Sequence, residues 1–208
     1  FWLMDDDCIP TEESLNNLMK ADKKLNGNYG FLCSKVLWTD GNLCKMNIPK
    51  ASVFEKNSDF KTSLVPVKMG TFVSFLTKRN VVKKVGLPIK EFFIWGDDLE
   101  YSNRISESYP SYLVNESVVI HKTANNEGSN IATDDFQRIN RYKLAYRNES
   151  VLFREMGIKG KFYQYARLIL HTSRIIFKAP DHKKKRLETL FSGVREGSKF
   201  YPKIKKVK

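Results

Sequence analysis

The first ten residues, FWLMDDDCIP, place three consecutive carboxylates directly after an apolar run. Asp5, Asp6 and Asp7 repel one another, and nothing in folding favours this arrangement unless a positive charge lies among them. A metal ion is the obvious candidate for that charge. The alternative is structural, because an acidic run after a strand also forms solvated turns and helix N-termini, where carboxylates complement the helix dipole.

Two further features can join this run in one cleft. The segment FFIWGDDLEY carries Asp97, Asp98 and Glu100, and the segment YLVNESVVIH ends in His121. Carboxylate oxygens combined with one imidazole nitrogen suit Mg²⁺ or Mn²⁺, and Mn²⁺ tolerates the nitrogen better. A metal bound by the first acidic run can hold a diphosphate, which leaves the second acidic pair to act as a base.

These features also have structural interpretations. Asp97 and Asp98 precede a helical pattern and can serve as the N-terminus of that helix. His121, taken alone, is more often a histidine whose hydrogen bonds are satisfied inside the fold. The apolar FFIW before the second acidic pair favours a strand end at that point rather than an exposed surface.

The elements that must position these residues alternate along the chain, which predicts an α/β fold. Strands are predicted over 29–38 and 112–121. One helix is predicted to begin at Thr11 and to end at a turn over 26–28, and another to follow the acids at 97–98. Further helices are predicted over 78–85, 133–148, 151–156, 161–178 and 184–191. Folds of this class bind ligands at strand ends, and the acidic clusters fall at predicted strand ends.

Length and composition limit the class of protein. With 208 residues, 41% of them hydrophobic, the chain can bury a core and fits one globular domain, or one domain with an appendage. Cys8, Cys33 and Cys44 form no C-x-x-C pair and leave an odd count, which favours free thiols in a reducing compartment. There is no secretory signal, and no apolar run approaches the roughly 20 residues that span a bilayer. We therefore expect a cytoplasmic protein.

The net charge of +13 is concentrated towards the C-terminus. Residues 1–150 hold 20 Lys and Arg against 19 Asp and Glu, whereas residues 151–208 hold 16 against 4. Between Lys161 and Lys178, polar and basic residues recur at helical spacing among aromatic and aliphatic ones, which predicts a basic amphipathic helix. Such a helix can lie in an anionic membrane interface. Nucleic acid is a rival partner, and packing of the apolar face on the rest of the chain is the structural alternative.

The segments WLMDDDCIP, VGLPIKEFFIWGDDLEYSNRI and VVIHK resemble the inverting GT-A-fold glycosyltransferases of the family 2 type. The likeness is to bacterial rhamnosyltransferases and galactofuranosyltransferases of cell-surface polysaccharide synthesis. It extends to about Gly157, because RYKLAYRNESVLFREMG resembles that family's helix after the active site. FIWGDDLEY is the most specific element, and the order of DDD, WGDDLEY and a strand-ending histidine strengthens the combined signal.

The resemblance implies a domain organisation. Residues 1–157 would form the C-terminal part of a GT-A domain, which is a Rossmann-like nucleotide-diphospho-sugar transferase domain, and residues 158–208 would form a basic helical tail. The family's nucleotide-binding first half precedes the DDD motif and has no counterpart in this sequence. We therefore expect the chain to be a fragment that lacks most contacts to the nucleotide base, and we expect activity from the whole protein rather than from this fragment alone.

The resemblance also implies roles for the first acidic run and the histidine. Asp5 and Asp7 would be the acidic motif that binds the metal, and His121 would be a further metal ligand. Asp6, between the two ligands, would lie near the sugar-nucleotide donor. The implied cofactor is Mn²⁺ or Mg²⁺.

The second acidic motif would supply the catalytic base and the contacts to the acceptor sugar. Asp98 would be the catalytic base, with Asp97 beside it. Trp95 and Glu100 would face the acceptor sugar, and a sugar ring could stack on the indole of Trp95.

The predicted enzyme is therefore a metal-dependent inverting hexosyltransferase. It would move rhamnose, galactofuranose or a similar sugar from a nucleotide-diphosphate donor to a saccharide acceptor, which we expect to be lipid-linked. The enzyme would be a peripheral protein at the inner face of the cell membrane. No nucleic-acid partner is expected, and an oligomer is left open because the apolar face of the tail can also form a subunit contact. Two other classes stay open: a metal-dependent nuclease or phosphotransferase whose tail grips nucleic acid, and a non-enzymatic membrane-binding module whose acids only cap helices.

Overall fold

Strands and helices are both abundant, but they do not alternate strictly as predicted: five strands follow the first helix and three helices follow the last strand. A computed structural model describes residues 1–52 and 54–207 and confirms the α/β class. The strands are β1 (Trp2–Leu3), β2 (Cys8–Pro10), β3 (Phe31–Trp38), β4 (Lys50–Ser52), β5 (Glu55–Lys56), β6 (Leu64–Pro66), β7 (Phe75–Thr77) and β8 (Tyr112–His121). The helices are α1 (Ser14–Lys24), α2 (Arg79–Val85), α3 (Asp97–Ser106), α4 (Arg141–Glu155), α5 (Gly157–Lys178) and α6 (Lys183–Lys199).

Six of the strands form one mixed sheet in the order β1-β7-β3-β8-β2, with β6 also paired to β8. The long strands β3 and β8 run parallel to each other, and the other pairs in this sheet are antiparallel. β8 pairs with β6 through its first residues and with β2 through its last residues, so that Val119–His121 lie opposite Cys8–Pro10. This pairing carries the N-terminal acidic run to the C-terminal end of β8.

The sequence of β8 explains its place inside the sheet. It is rich in Val and Ile, which favour strands, and alternate residues such as Leu113 and Val119 are buried. The predicted range of this strand, 112–121, is the observed one. Apolar side chains cover both faces of the sheet, on one side against α1 and on the other against α2 and α3.

The chain divides into two compact units. The first contains Phe1–Pro88, Asp98–Gly128 and the C-terminal residues from Ile204 onward, and therefore holds both sheets with α1 and α2. The second contains Ile89–Asp97 and Ser129–Lys203, and therefore holds α4, α5 and α6. The predicted domain boundary between residues 157 and 158 stays a prediction.

In the second unit, α4 and α6 approach each other closely. Gly193 and Gly197 lie one turn apart on α6, and a Cβ atom at either position would fall 2.5–2.6 Å from a backbone oxygen of α4, at Lys143 and at Arg147 respectively. Only glycine fits at such a distance. None of the helices formed by the described residues is both long enough and apolar enough to cross a membrane.

The segment FFIW is not a strand, contrary to the expectation from its apolar character. Residues Lys90–Phe92 form a 3-10 turn, an irregular loop follows, and α3 begins at Asp97. Phe93 and Trp95 have φ angles of 62° and 60°, which a strand does not allow. The second acidic pair therefore lies at the start of a helix rather than at the end of a strand.

Candidate metal centre

A tight turn leads from the acidic run into β2. The N–H of Cys8 donates to the carbonyl oxygen of Asp5 at 3.2 Å, so that Asp6 and Asp7 are the two central residues of the turn. The N–H of Lys122 donates to the carbonyl oxygen of Asp7 at 3.0 Å, which ties the turn to the residue after β8. The turn thus holds the acidic side chains at the end of that strand.

Four side chains meet at this end of the sheet. One potential ligand atom from each of Asp5, Asp7, Cys8 and His121 lies within 4.8 Å of the others. The register explains part of this arrangement, because Cys8 is directly opposite His121 in the β2–β8 pair. The two carboxylates are exposed and the imidazole is buried, so the cluster opens to solvent on its acidic side. A cluster of this composition can hold a metal ion.

The imidazole of His121 is oriented by an amide behind it. Its Nδ1 lies 2.8 Å from Oδ1 of Asn47, and the amide nitrogen of Asn47 donates to Oγ1 of Thr71 at 3.2 Å. Since an amide oxygen only accepts, Nδ1 is the donor. In the neutral ring Nε2 then carries the lone pair, as in metal-ligating histidines whose other nitrogen donates to a supporting group.

That lone pair points at a carboxylate. His121 Nε2 lies 3.1 Å from Oδ1 of Asp7. Two acceptor atoms at this distance repel each other unless a proton or a cation lies between or beside them. The arrangement is therefore compatible with a bound cation and equally with a proton on Nε2 that pairs with Asp7.

Cys8 is the member of the cluster that sequence reasoning missed. Partial burial, followed by the nearby carboxylates of Asp5 and Asp7, raises the pKa of its thiol to about 12. Without a cation this thiol stays protonated and is a weak ligand. A thiolate would favour Zn²⁺, whereas the two carboxylates and the imidazole alone suit Mn²⁺. The signal in the sequence was only its position next to the acids, because its pairing with His121 depends on strand register.

Asp6 and the second acidic pair are not members of this cluster. Asp6 is exposed in the turn. Asp97 and Asp98 begin α3, and Oδ1 of Asp98 accepts a hydrogen bond from the N–H of Leu99 at 2.7 Å. The predicted role of Asp6 in donor binding and the predicted catalytic roles of Asp97 and Asp98 stay predictions.

The two residues predicted to face the acceptor have partners of their own. The Trp95 ring packs edge-on against Tyr142, with centroids 4.9 Å apart. Glu100 is only 1% exposed, and its carboxylate accepts from Nε and Nη2 of Arg104 at 2.6 and 2.9 Å. The guanidinium of Arg104 also donates to the carbonyl oxygen of Val85. Glu100 thus forms an ion pair that joins α3 to the end of α2, and its predicted contact with the acceptor stays a prediction.

The described residues therefore place a cluster that could hold a metal ion at the end of β8, formed by the three predicted ligands and Cys8. All three cysteines are free thiols, as predicted. In comparisons with known proteins, the chain matches no protein-family model and no curated protein.

Proposed function

We propose that this chain is the metal-binding and acceptor-side part of an inverting glycosyltransferase of the GT-A, family 2 type. The observation that carries the proposal is the cluster at the end of β8. It joins Asp5 and Asp7 to His121, more than a hundred residues away in sequence, within 4.8 Å. These are the three residues to which the resemblance assigns the metal. The second support for the proposal is the resemblance of the segment WGDDLEY to the same glycosyltransferase family.

The proposed reaction is a single displacement at the anomeric carbon of the donor sugar. A divalent cation, Mn²⁺ or Mg²⁺, would be held by Asp5, Asp7 and His121 and would stabilise the negative charge of the departing diphosphate. Asp98 accepts the proton of the acceptor hydroxyl as its oxygen bonds to the anomeric carbon. The bond from that carbon to the diphosphate oxygen breaks on the opposite face, and its electron pair leaves with the nucleotide diphosphate. The configuration of the sugar is therefore inverted.

The number of ligands favours this reaction class over a nuclease. Two-metal nucleases and phosphotransferases hold ions about 3.5–4 Å apart and need ligands for both. Among the described residues one cluster with four ligand atoms is found. Four ligands suit one ion with room for a bound diphosphate better than they suit two ions.

A metal-dependent turnover assay on the full-length protein tests the proposal. With dTDP-rhamnose and UDP-galactofuranose as donors, we expect nucleotide diphosphate release that needs Mn²⁺ or Mg²⁺ and stops with a chelator. Asp7→Asn should lower Mn²⁺ affinity at least tenfold in a direct titration, because a neutral amide replaces a carboxylate ligand. Asp6→Asn is the matched control and should retain Mn²⁺ affinity. Metal-dependent cleavage of nucleic acid without turnover of a sugar nucleotide would contradict the proposal.

The partner proposed for the C-terminal helices is an anionic membrane that carries the lipid-linked acceptor. On α5, four apolar side chains at helical spacing are about two-thirds or more exposed: Ile158, Phe162, Tyr165 and Ile169. The opposite side of the helix is polar but has partners within the same unit. Arg167 donates to Glu149 at 2.7 Å, and Nδ1 of His171 lies 2.8 Å from the Tyr146 hydroxyl. The apolar face points outward, which is the arrangement of interfacial helices.

Vesicle sedimentation measures this membrane contact. Binding to phosphatidylglycerol vesicles should exceed binding to phosphatidylcholine vesicles and should weaken with salt, because basic residues flank the apolar face. Phe162→Asn with Ile169→Asn should reduce the partition at least tenfold, since burial of each side chain contributes on the order of 1.5–3 kcal/mol. Met19→Asn, a partly exposed apolar residue of α1, is the control and should bind as wild type does. Equal binding of the double variant would contradict the proposed surface.

A further inference from the structure

The loop between the 3-10 turn and α3 has an unusual backbone. Phe93 has a φ of 62° and a ψ of −49°, and the N–H of Ile94 donates back to the carbonyl oxygen of Phe92 at 2.7 Å. Together these define a γ-turn with positive φ at a bulky residue, a rare and strained conformation. Trp95, two residues later, also has positive φ, at 60°. Strain of this kind persists only where the surroundings enforce it, and it concentrates at functional sites.

The enforcing group is a buried amide on α4. Asn148 is 1% exposed. Its Nδ2 lies 3.0, 3.1 and 2.9 Å from the carbonyl oxygens of Phe92, Ile94 and Trp95. Two N–H groups thus serve three carbonyls that the loop turns towards the helix. A buried carbonyl without a donor is costly, so these hydrogen bonds determine the path of the loop.

The neighbouring arginine fixes the orientation of that amide. Nε and Nη2 of Arg147 lie 3.1 and 3.0 Å from Oδ1 of Asn148, so that the amide nitrogen must face the loop. Nη2 of Arg147 also donates to the carbonyl oxygen of Glu91, and the guanidinium lies over the ring of Phe200. Arg147 therefore holds the start of this segment at Glu91, and Asn148 holds the part that follows at Ile94 and Trp95.

From these contacts we infer that Asn148 is a positioning residue, which holds the loop that carries Trp95 and leads into Asp97. The hydrogen bonds themselves are independent of any reaction, whereas the catalytic consequence rests on the proposed glycosyltransferase function. Asn148 touches no reacting group. It acts by fixing the backbone that carries Trp95 and Asp97, and small displacements of such groups cost large factors in rate.

The test is Asn148→Asp in the full-length protein, with Asn140→Asp as the matched control. Aspartate has the same shape and keeps an oxygen for Arg147, but it places an acceptor where three carbonyls need donors. Asn140 is exposed at the start of the same helix, and its side chain makes no capping hydrogen bond. The readouts are hydrogen–deuterium exchange of peptides covering 90–97 and 112–121, and kcat and KM for dTDP-rhamnose and UDP-galactofuranose.

We expect exchange in 90–97 to rise at least about tenfold in Asn148→Asp while exchange in 112–121 stays within twofold. With whichever of the two donors the wild-type protein turns over, the kcat of Asn148→Asp should be at least about tenfold lower and its KM nearly unchanged. The kinetic constants of Asn140→Asp should match those of wild type. Unchanged exchange in 90–97 would overturn the inference whatever the activity. Faster exchange with unchanged kcat would overturn the positioning role. A wild-type protein without turnover would contradict the proposed function instead, and the exchange data would still decide whether Asn148 holds the loop.

Discussion

Replacing Asp98 by Asn is expected to lower kcat for sugar transfer by about 10²- to 10⁴-fold, which is the range that general-base help supplies. The amide cannot accept the proton of the acceptor hydroxyl. Asparagine retains the side-chain oxygen that accepts from the N–H of Leu99 at the start of α3. Donor KM and Mn²⁺ affinity should stay near the wild-type values, since the metal cluster does not include Asp98. The measurement is nucleotide diphosphate release over a range of donor concentrations.

A control just beyond the same helix separates this role from a general loss of charge. Glu107, just after α3, is an exposed carboxylate, and Glu107→Gln should leave kcat unchanged. A kcat for Asp98→Asn within threefold of wild type would remove Asp98 from the mechanism. In that case Asp97 becomes the carboxylate to test, by the same substitution.

Replacing Arg186 by Met is expected to lower the free energy of unfolding by about 2–4 kcal/mol, because two carbonyl groups lose their donor. Arg186 is 1% exposed although it ends the run HKKKR. Its Nη1 donates to the carbonyl oxygens of Ile131 and Asp134 at 2.7 and 3.0 Å, and its Nη2 pairs with the carboxylate of Asp181. Methionine fills much of the space but removes the donor of the buried Ile131 carbonyl and of the partly buried Asp134 carbonyl. Denaturant unfolding monitored by circular dichroism measures the loss.

Two companion variants show which part of the arginine matters. A hydrogen bond from Arg186 holds the pKa of the Asp181 carboxyl below its ordinary value. Asp181→Asn keeps a side-chain oxygen for the buried guanidinium but removes its counter-charge, so it should destabilise the protein less than Arg186→Met does. Lys185→Met, at the exposed neighbouring position, should also be nearly neutral. A loss for Arg186→Met no larger than for Lys185→Met would mean that the buried hydrogen bonds contribute nothing measurable.

The sequence by itself determined the α/β class and the bounds of its clearest elements. β8 was predicted at its observed range, and α2 ends at Val85 before Gly86, as predicted. Such signals are local, because the two-residue and 3.6-residue periodicities and the turn residues act within a few positions of one another. Asp5, Asp7 and His121 were predicted as metal ligands because their residue types suit a cation, and they do lie together in one cluster, while their binding of a metal stays a prediction.

Only the tertiary structure decided the features that depend on distant partners. Cys8 joins the cluster because the β2–β8 register places it opposite His121, and register follows from the packing of the whole sheet. FFIW was predicted as a strand end, but Asn148, more than fifty residues later, bonds its carbonyls and imposes a loop. Arg186 belongs to a basic run whose other members are solvated, yet its guanidinium is buried because it donates to carbonyl oxygens more than fifty residues earlier in the chain. In each case a long-range hydrogen bond or strand pairing overrides the local preference of the segment.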